Sequence, residues 1–232
     1  MNDSLEPHTR EKITCALARS PHIHCVTSTL DPDARLERVL QLFWSRGYDN
    51  TSMQDIVTLL GLNRFTLYKS LGDKRHLLRL TLHRYREVTL ASALSRLSEA
   101  HRGIKAIEQY LLEMIALARP SEHPRGCFFV NTAMEQAARD PRIERATQRH
   151  FDLVEQGMRE ALRGDPVARG WPTEEVEGRC RVFSLAAQGL MVQARLGRSP
   201  GELRGAAATL LGMGSCRGPV REPAPLAAAD ST

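Results

Sequence analysis

The stretch Gly61–Lys74, GLNRFTLYKSLGDK, places two cations and two aromatic residues within the six positions from Arg64 to Lys69 and closes both ends with glycine. Two readings compete. In one, Phe65 and Tyr68 cover a neighbouring helix and Arg64 and Lys69 are simply solvated. In the other, the helix is anchored by different residues and presents all four side chains to a partner. At about 100° per residue, Arg64, Phe65, Tyr68 and Lys69 share one face. Leu67 and Leu71, four positions apart, fall on the other face with Thr66 and Ser70. That division makes the leucines the anchor. Gly61 suits the left-handed position that ends a preceding helix, Leu62 fills the angle, and Asn63 caps the second helix. Two short helices, a glycine turn and a basic second helix are the pattern of a helix-turn-helix.

The chemistry of the outer face fits a polyanion. Arginine reads guanine or grips phosphate, tyrosine donates to phosphate, and phenylalanine meets a thymine methyl. Lys74 starts the next helix, and a helix N-terminus with a lysine is a phosphate clamp. Thr51 and Ser52 offer a second such start, with Asp55 placed for a capping box. Net charge agrees in its distribution. The 232-residue chain carries 32 Lys and Arg against 27 Asp and Glu. Between Asp33 and Glu87 the count is ten cations to six acids, with six of the ten between Arg64 and Arg84. A basic excess gathered in one region is the electrostatic footprint of a nucleic-acid partner.

Working outward, nearly everything from residue 31 to 213 has helical period. Asp31-Pro32 is an N-cap with proline at the first helical position. Leu36, Val39, Leu40, Phe43 and Trp44 then form one apolar stripe that stops at Gly47. Met53, Ile56, Val57 and Leu60 face inward in the next helix. A long helix is expected from Asp73, reaching about Ala100, followed by helices over about 104–118 and 127–138. Asp140-Pro141 opens a further helix, Thr173 caps another to about Leu196, and Ser199–Glu202 is a capping box for the last. The fold class is all-α, with about nine helices. Residues 1–30, with Pro7 and Pro21 and no sustained period, and 214–232, rich in Gly, Pro and Ala, are expected to be disordered. The five cysteines include no CxxC pair, which suits free thiols in a reducing cytoplasm. No apolar run is long enough to span a membrane.

The segment RLERVLQLFWSRGYDNTSMQDIVTLLGLNRFTLYKSLGDKRHLL, Arg35–Leu78, 44 residues in all, resembles the DNA-binding domain of the tetracycline-repressor (TetR/AcrR) family of bacterial transcription regulators. The resemblance rests on Leu42-Phe43, Gly47-Tyr48, Thr51-Ser52, Ile56, Gly61-Leu62, Thr66-Leu67-Tyr68 and Lys74 with Leu77. RGCFFVNTAMEQAARDPRI, Arg125–Ile143, is similar to one branch's C-terminal domain. The resemblance implies a reading head over 31–80 and a ligand-sensing and dimerisation domain over 81–213. It implies a homodimer on double-stranded palindromic operator DNA, commonly a repressor released by a small-molecule effector. By position, Thr66 and Tyr68 would touch DNA, Lys74 would hold phosphate, and Arg64 and Phe65 would be the variable readers. Phe65 stands where the family favours a small residue or proline, and Leu71 where an aromatic is common.

For dimerisation, Phe183, Ala186, Ala187, Leu190, Met191 and Ala194 repeat at helical spacing with small residues that allow close approach. An internal core helix would show the same pattern. An effector pocket is expected at Tyr110, Met114, Phe128, Asn131 and Met134, because a buried amide such as that of Asn131 needs partners a ligand can supply. Asn131 could equally be a capping or surface amide. Cys127 at a helix start, near Arg125, could have a lowered thiol pKa or be a buried packing residue. His22-Ile23-His24-Cys25 has soft-metal ligand types but falls in the N-terminal arm, and neither metal nor cofactor is expected. No GxGxxG, P-loop, HExxH or GxSxG motif marks an enzyme. An activator, a redox-responsive regulator of the same fold and a helical adaptor for an acidic protein remain the alternatives.

Overall fold

The computed structural model describes residues 31–98, 103–118 and 124–215. The N-terminal extension with its His22–Cys25 motif, and the tail from residue 216, lie outside them. Among the described residues there are ten α-helices and no strand. In chain order they are α1 Pro32–Arg46, α2 Met53–Leu60, α3 Arg64–Leu71, α4 Lys74–Arg84, α5 Ala91–Ser98, α6 Ile104–Leu117, α7 Phe128–Gln136, α8 Pro141–Arg163, α9 Thr173–Arg195 and α10 Pro200–Ser215.

The expected long helix from Asp73 is interrupted. Residues Tyr85–Thr89 form a π-helical turn, with the Leu90 N–H bonded to the Tyr85 carbonyl at 2.9 Å, before α5 resumes. Tyr85 opens this turn and faces inward. Its ring is fully buried and meets Trp44 edge-on at 5.0 Å and Phe128 at 5.7 Å. It joins α1, α4 and α7 at one aromatic centre, where such tilted contacts add to burial.

The helix ends follow local chemistry. Ser52 and Asp55 form the capping box of α2, and Ser199 with Glu202 forms that of α10. Asn63 and Asp140 accept cap bonds from Thr66 and Arg142. Asp31 does not bond the α1 backbone with its side chain, so proline alone sets that start. Thr173 lies inside α9 with Pro172 at the cap. Residues Pro166–Gly170 wind into one 3₁₀ turn.

In the C-terminal body α8 packs along α9, α5 lies against α6 and α8, and α10 lies against α6 and α9. The α1 stripe of Val39, Leu40, Phe43 and Trp44 is buried as its spacing predicts, and α1 packs on α4. Arg84 of α4 donates to Glu37 of α1 at 2.7 Å. This packing holds α2 and α3 outside the body.

Candidate nucleic-acid interface

The turn between α2 and α3 is made by Gly61 at φ 62°, ψ 25°. A side chain is disfavoured in that conformation. Gly61 and Leu62 return their N–H groups to Thr58 and Val57 at 3.3 Å. Asn63 Oδ1 accepts the Thr66 N–H at 2.7 Å and starts α3. Leu67 is fully buried and Leu71 is half-buried. Arg64, Phe65, Tyr68 and Lys69 are all exposed, Phe65 to 76% and Tyr68 to 44%. The two rings therefore do not cover a neighbouring helix, and α3 offers them to solvent together with two cations.

The flanking contacts differ from expectation. Thr51 is buried, and its hydroxyl donates to the Gly47 carbonyl at 2.8 Å. It shapes the turn and is not available to a phosphate. Ser52 is exposed, but its hydroxyl donates to Asp55 Oδ2 at 2.6 Å. Those Ser52 bonds lower the Asp55 pKa, so a carboxylate already occupies the start of α2. The start of α4 is likewise taken, since Asp73 accepts the His76 N–H at 2.7 Å. Lys74 lies half-buried with Nζ 4.0 Å from the centre of the Tyr48 ring. Burial pulls its pKa down, against Asp49 and Glu135, which raise it. The lysine is parked on an aromatic face within reach of the head's surface.

A third set of contacts ties this head to the body, and the sequence reading missed it. Trp44 Nε1 donates to the Gly126 carbonyl at 3.1 Å, and Arg125 donates to Gln41 Oε1. The Tyr48 N–H donates to Glu135 Oε2 at 2.8 Å. Gln136 and Arg139 both donate to Asp49 at 2.7 Å. Gly47 makes the approach possible: a Cβ there would lie 2.7 Å from Glu135 Oε1. The partners stand more than eighty residues apart, and no local pattern marks them.

The expected effector residues do not converge. Tyr110 and Met114 line an interior remnant of about 20 Å³ with His150, Ser184 and Met191, room for about one water. Phe128 is buried on Tyr85. Asn131 is buried and spends its amide on the Arg125 carbonyl at 2.8 Å. Met134 is 75% exposed and lines an outer groove with Asn131, Val192 and Leu196. Burial raises the Cys127 thiol pKa despite the helix start, which opposes a reactive thiolate.

The proposed dimer pattern is also displaced. Phe183, Ala187, Leu190, Met191 and Ala194 are buried inside the single chain, with Ala186 half-buried. They are the internal core face of α9. The same helix leaves Val182 exposed and Leu185 exposed to 60%, with open space beside Gly189, and Leu196 just past its end is exposed too.

Residues 36–80 match the family model described as "Bacterial regulatory proteins, tetR family", and 103–209 match "Transcriptional regulator LmrA/YxaF-like, C-terminal domain". The chain is 31% identical over 127 residues to an uncharacterised HTH-type transcriptional regulator, YezE, of Bacillus subtilis, covering 55% of this chain and 66% of that one. It is 28% identical over 188 residues to the HTH-type transcriptional repressor ComR of Escherichia coli, covering 78% and 87%. Its fold is shared with the TetR family regulator CifR, a cysteine mutant solved with operator DNA, at TM-score 0.71 and 23% identity over 79% of this chain and 96% of that one.

Proposed function

The chain belongs to the tetR family of bacterial regulatory proteins and is a DNA-binding transcriptional regulator, and we propose that it acts as a repressor of the genes whose operator it reads. The observation that carries the reading is the outer face of α3. Phe65 and Tyr68 stand in water between Arg64 and Lys69 on a helix anchored through Leu67. Exposing two rings costs hydrophobic free energy, and a groove lined by phosphates recovers it while neutralising the cations. Arg64 and Phe65 read bases. Tyr68, Lys69 and Thr66 position the helix, and Lys74 leaves Tyr48 to hold phosphate. Likeness to a repressor over 87% of that protein's length supports repression over activation.

The working unit is a homodimer in the cytoplasm on a two-fold operator. Its interface is the outer stripe Val182, Leu185, Gly189, Val192 and Leu196, which alternates spacings of three and four as in a helix-pair seam. Release comes from a small molecule that opens the remnant beside Tyr110, Met114 and His150. Support lies in His150 Nδ1, which is buried without a hydrogen-bond partner, a demand a ligand can meet.

Footprinting of the DNA upstream of its own gene tests the reading. The parent protein is expected to protect a palindromic site, and Tyr68→Ala to lose that protection. No protection by the parent, with Tyr68→Ala binding random DNA as the parent does, overturns it.

A further inference from the structure

Two basic stripes face each other across a cleft of about 470 Å³ between α4 and α8. Arg79, His83 and Arg86 come from α4 and its π-helical continuation, and Arg142, Arg145 and Arg149 come from α8. These spacings stack side chains along one face of each helix. On α8 the stripe lies away from the face that buries Ile143, Thr147 and His150. The cleft has an apolar floor of Leu82, Phe129 and Ala146.

The cations are poorly compensated. Arg79, Arg142, Arg145 and Arg149 make no ion pair with a described carboxylate. Arg86 pairs with Glu87 at 2.8 Å. Some arginines elsewhere on the body do face acids, as Arg159 and Arg96 do at 2.8 and 2.6 Å. Like charges gathered around a concavity repel, and apolar walls focus their field. The field reaches behind the floor. His150 stacks under Phe129 at 3.8 Å, and its pKa is pushed down to about 3, by burial first and by the Arg86 guanidinium second.

A duplex is not the shape this cleft receives. Arg86 lies twelve positions beyond Lys74, roughly 18 Å along the helix, and the site is concave, with a buried ring at its base. Its size is that of a small-ligand pocket. We propose that the cleft binds a small molecule carrying at least two phosphate groups and an apolar part. The arginine forks take the phosphates, for which their paired N–H groups are suited, and Leu82 and Phe129 take the apolar part. This goes beyond DNA recognition and does not depend on it.

Calorimetry of the full chain without DNA tests the site, with inorganic pyrophosphate as probe and chloride at equal ionic strength as reference. One saturable site is expected. The double variant Arg145→Gln, Arg149→Gln is expected to bind about tenfold or more weakly. Arg169→Gln, on the exposed 3₁₀ turn, is expected to bind as the parent does. No saturable binding beyond chloride, or an unchanged double variant, overturns the proposal. So does displacement of pyrophosphate by random duplex together with weakened duplex binding by the double variant, which makes the cleft DNA surface. Failure of pyrophosphate to bind leaves the regulator reading untouched.

Discussion

Helices α3 and α9 both leave large apolar side chains in water, and they do so in different company. On α3, Phe65 and Tyr68 stand between Arg64 and Lys69 around a short helix whose inward hold is Leu67. On α9, Val182 and Leu185, continued by Leu196 just past the helix end, share their face with Gly189, while five residues of the opposite face are sunk in the body. Rings among cations suit a polyanion whose bases and phosphates alternate. Aliphatic groups beside glycine suit another helix at close range. Exposure alone does not say which partner a surface takes; the residues between the exposed ones do.

The strongest test of the contrast is to cut the inward faces. Phe183→Ala is expected to cost about 3–5 kcal/mol of folding stability in a denaturant titration, and Leu67→Ala about 2–5 kcal/mol. If Phe183→Ala instead left unfolding unchanged and only dissociated a dimer, the assignment of that face to the core would be wrong. Next, Leu185→Glu on the outer face is expected to leave stability within about 0.5 kcal/mol. In sedimentation it should weaken self-association by about 2 kcal/mol or more. An unaltered association constant would move the interface elsewhere.

On α3, Arg64→Ala is expected to change preference among operator variants by about 1–3 kcal/mol. Competition binding reads this directly, and equal loss on every sequence would demote Arg64 to a phosphate contact. Smallest is Lys74→Ala, which should weaken all DNA alike and lower the slope of log affinity against log salt by about 1. A salt slope identical to the parent's would mean that the lysine stays on Tyr48 in the complex.

The same two helices show why one part of the molecule was legible in the sequence and another was not. The reading head is built from neighbours in the chain. Gly61 at positive φ, the Asn63 cap and the Leu67 anchor each act within a few residues, so spacing and residue type are enough. Helix α9 is apolar on two faces, and both have helical period. Only the placement of the helices packed against α9, which are α6, α7, α8 and α10, decides that Phe183 turns inward and Leu185 outward. Thr51 misled for a related reason: a threonine before a helix is a common cap, but here Gly47 offers its hydroxyl a buried carbonyl. The break at Tyr85 was hidden because an apolar stripe continues through it, and the aromatic residues that draw the ring inward come from α1 and α7.

Helix α7 has nine residues, about 13 Å of length, and contacts with α1 and the turn after it flank both of its ends. Just before it, Gly126 receives Trp44. At its far end, Glu135 and Gln136 receive Tyr48 and reach Asp49. A rod pinned at two points to the same neighbour can neither slide nor pivot against it without drawing a pin. Hydrogen bonds to charged groups are worth about 1.5–3 kcal/mol each, so the head rests in one orientation by default. In the homodimer proposed above, a swing that brings the two heads into register on a duplex must either carry α7 along or supply the energy to unpin it.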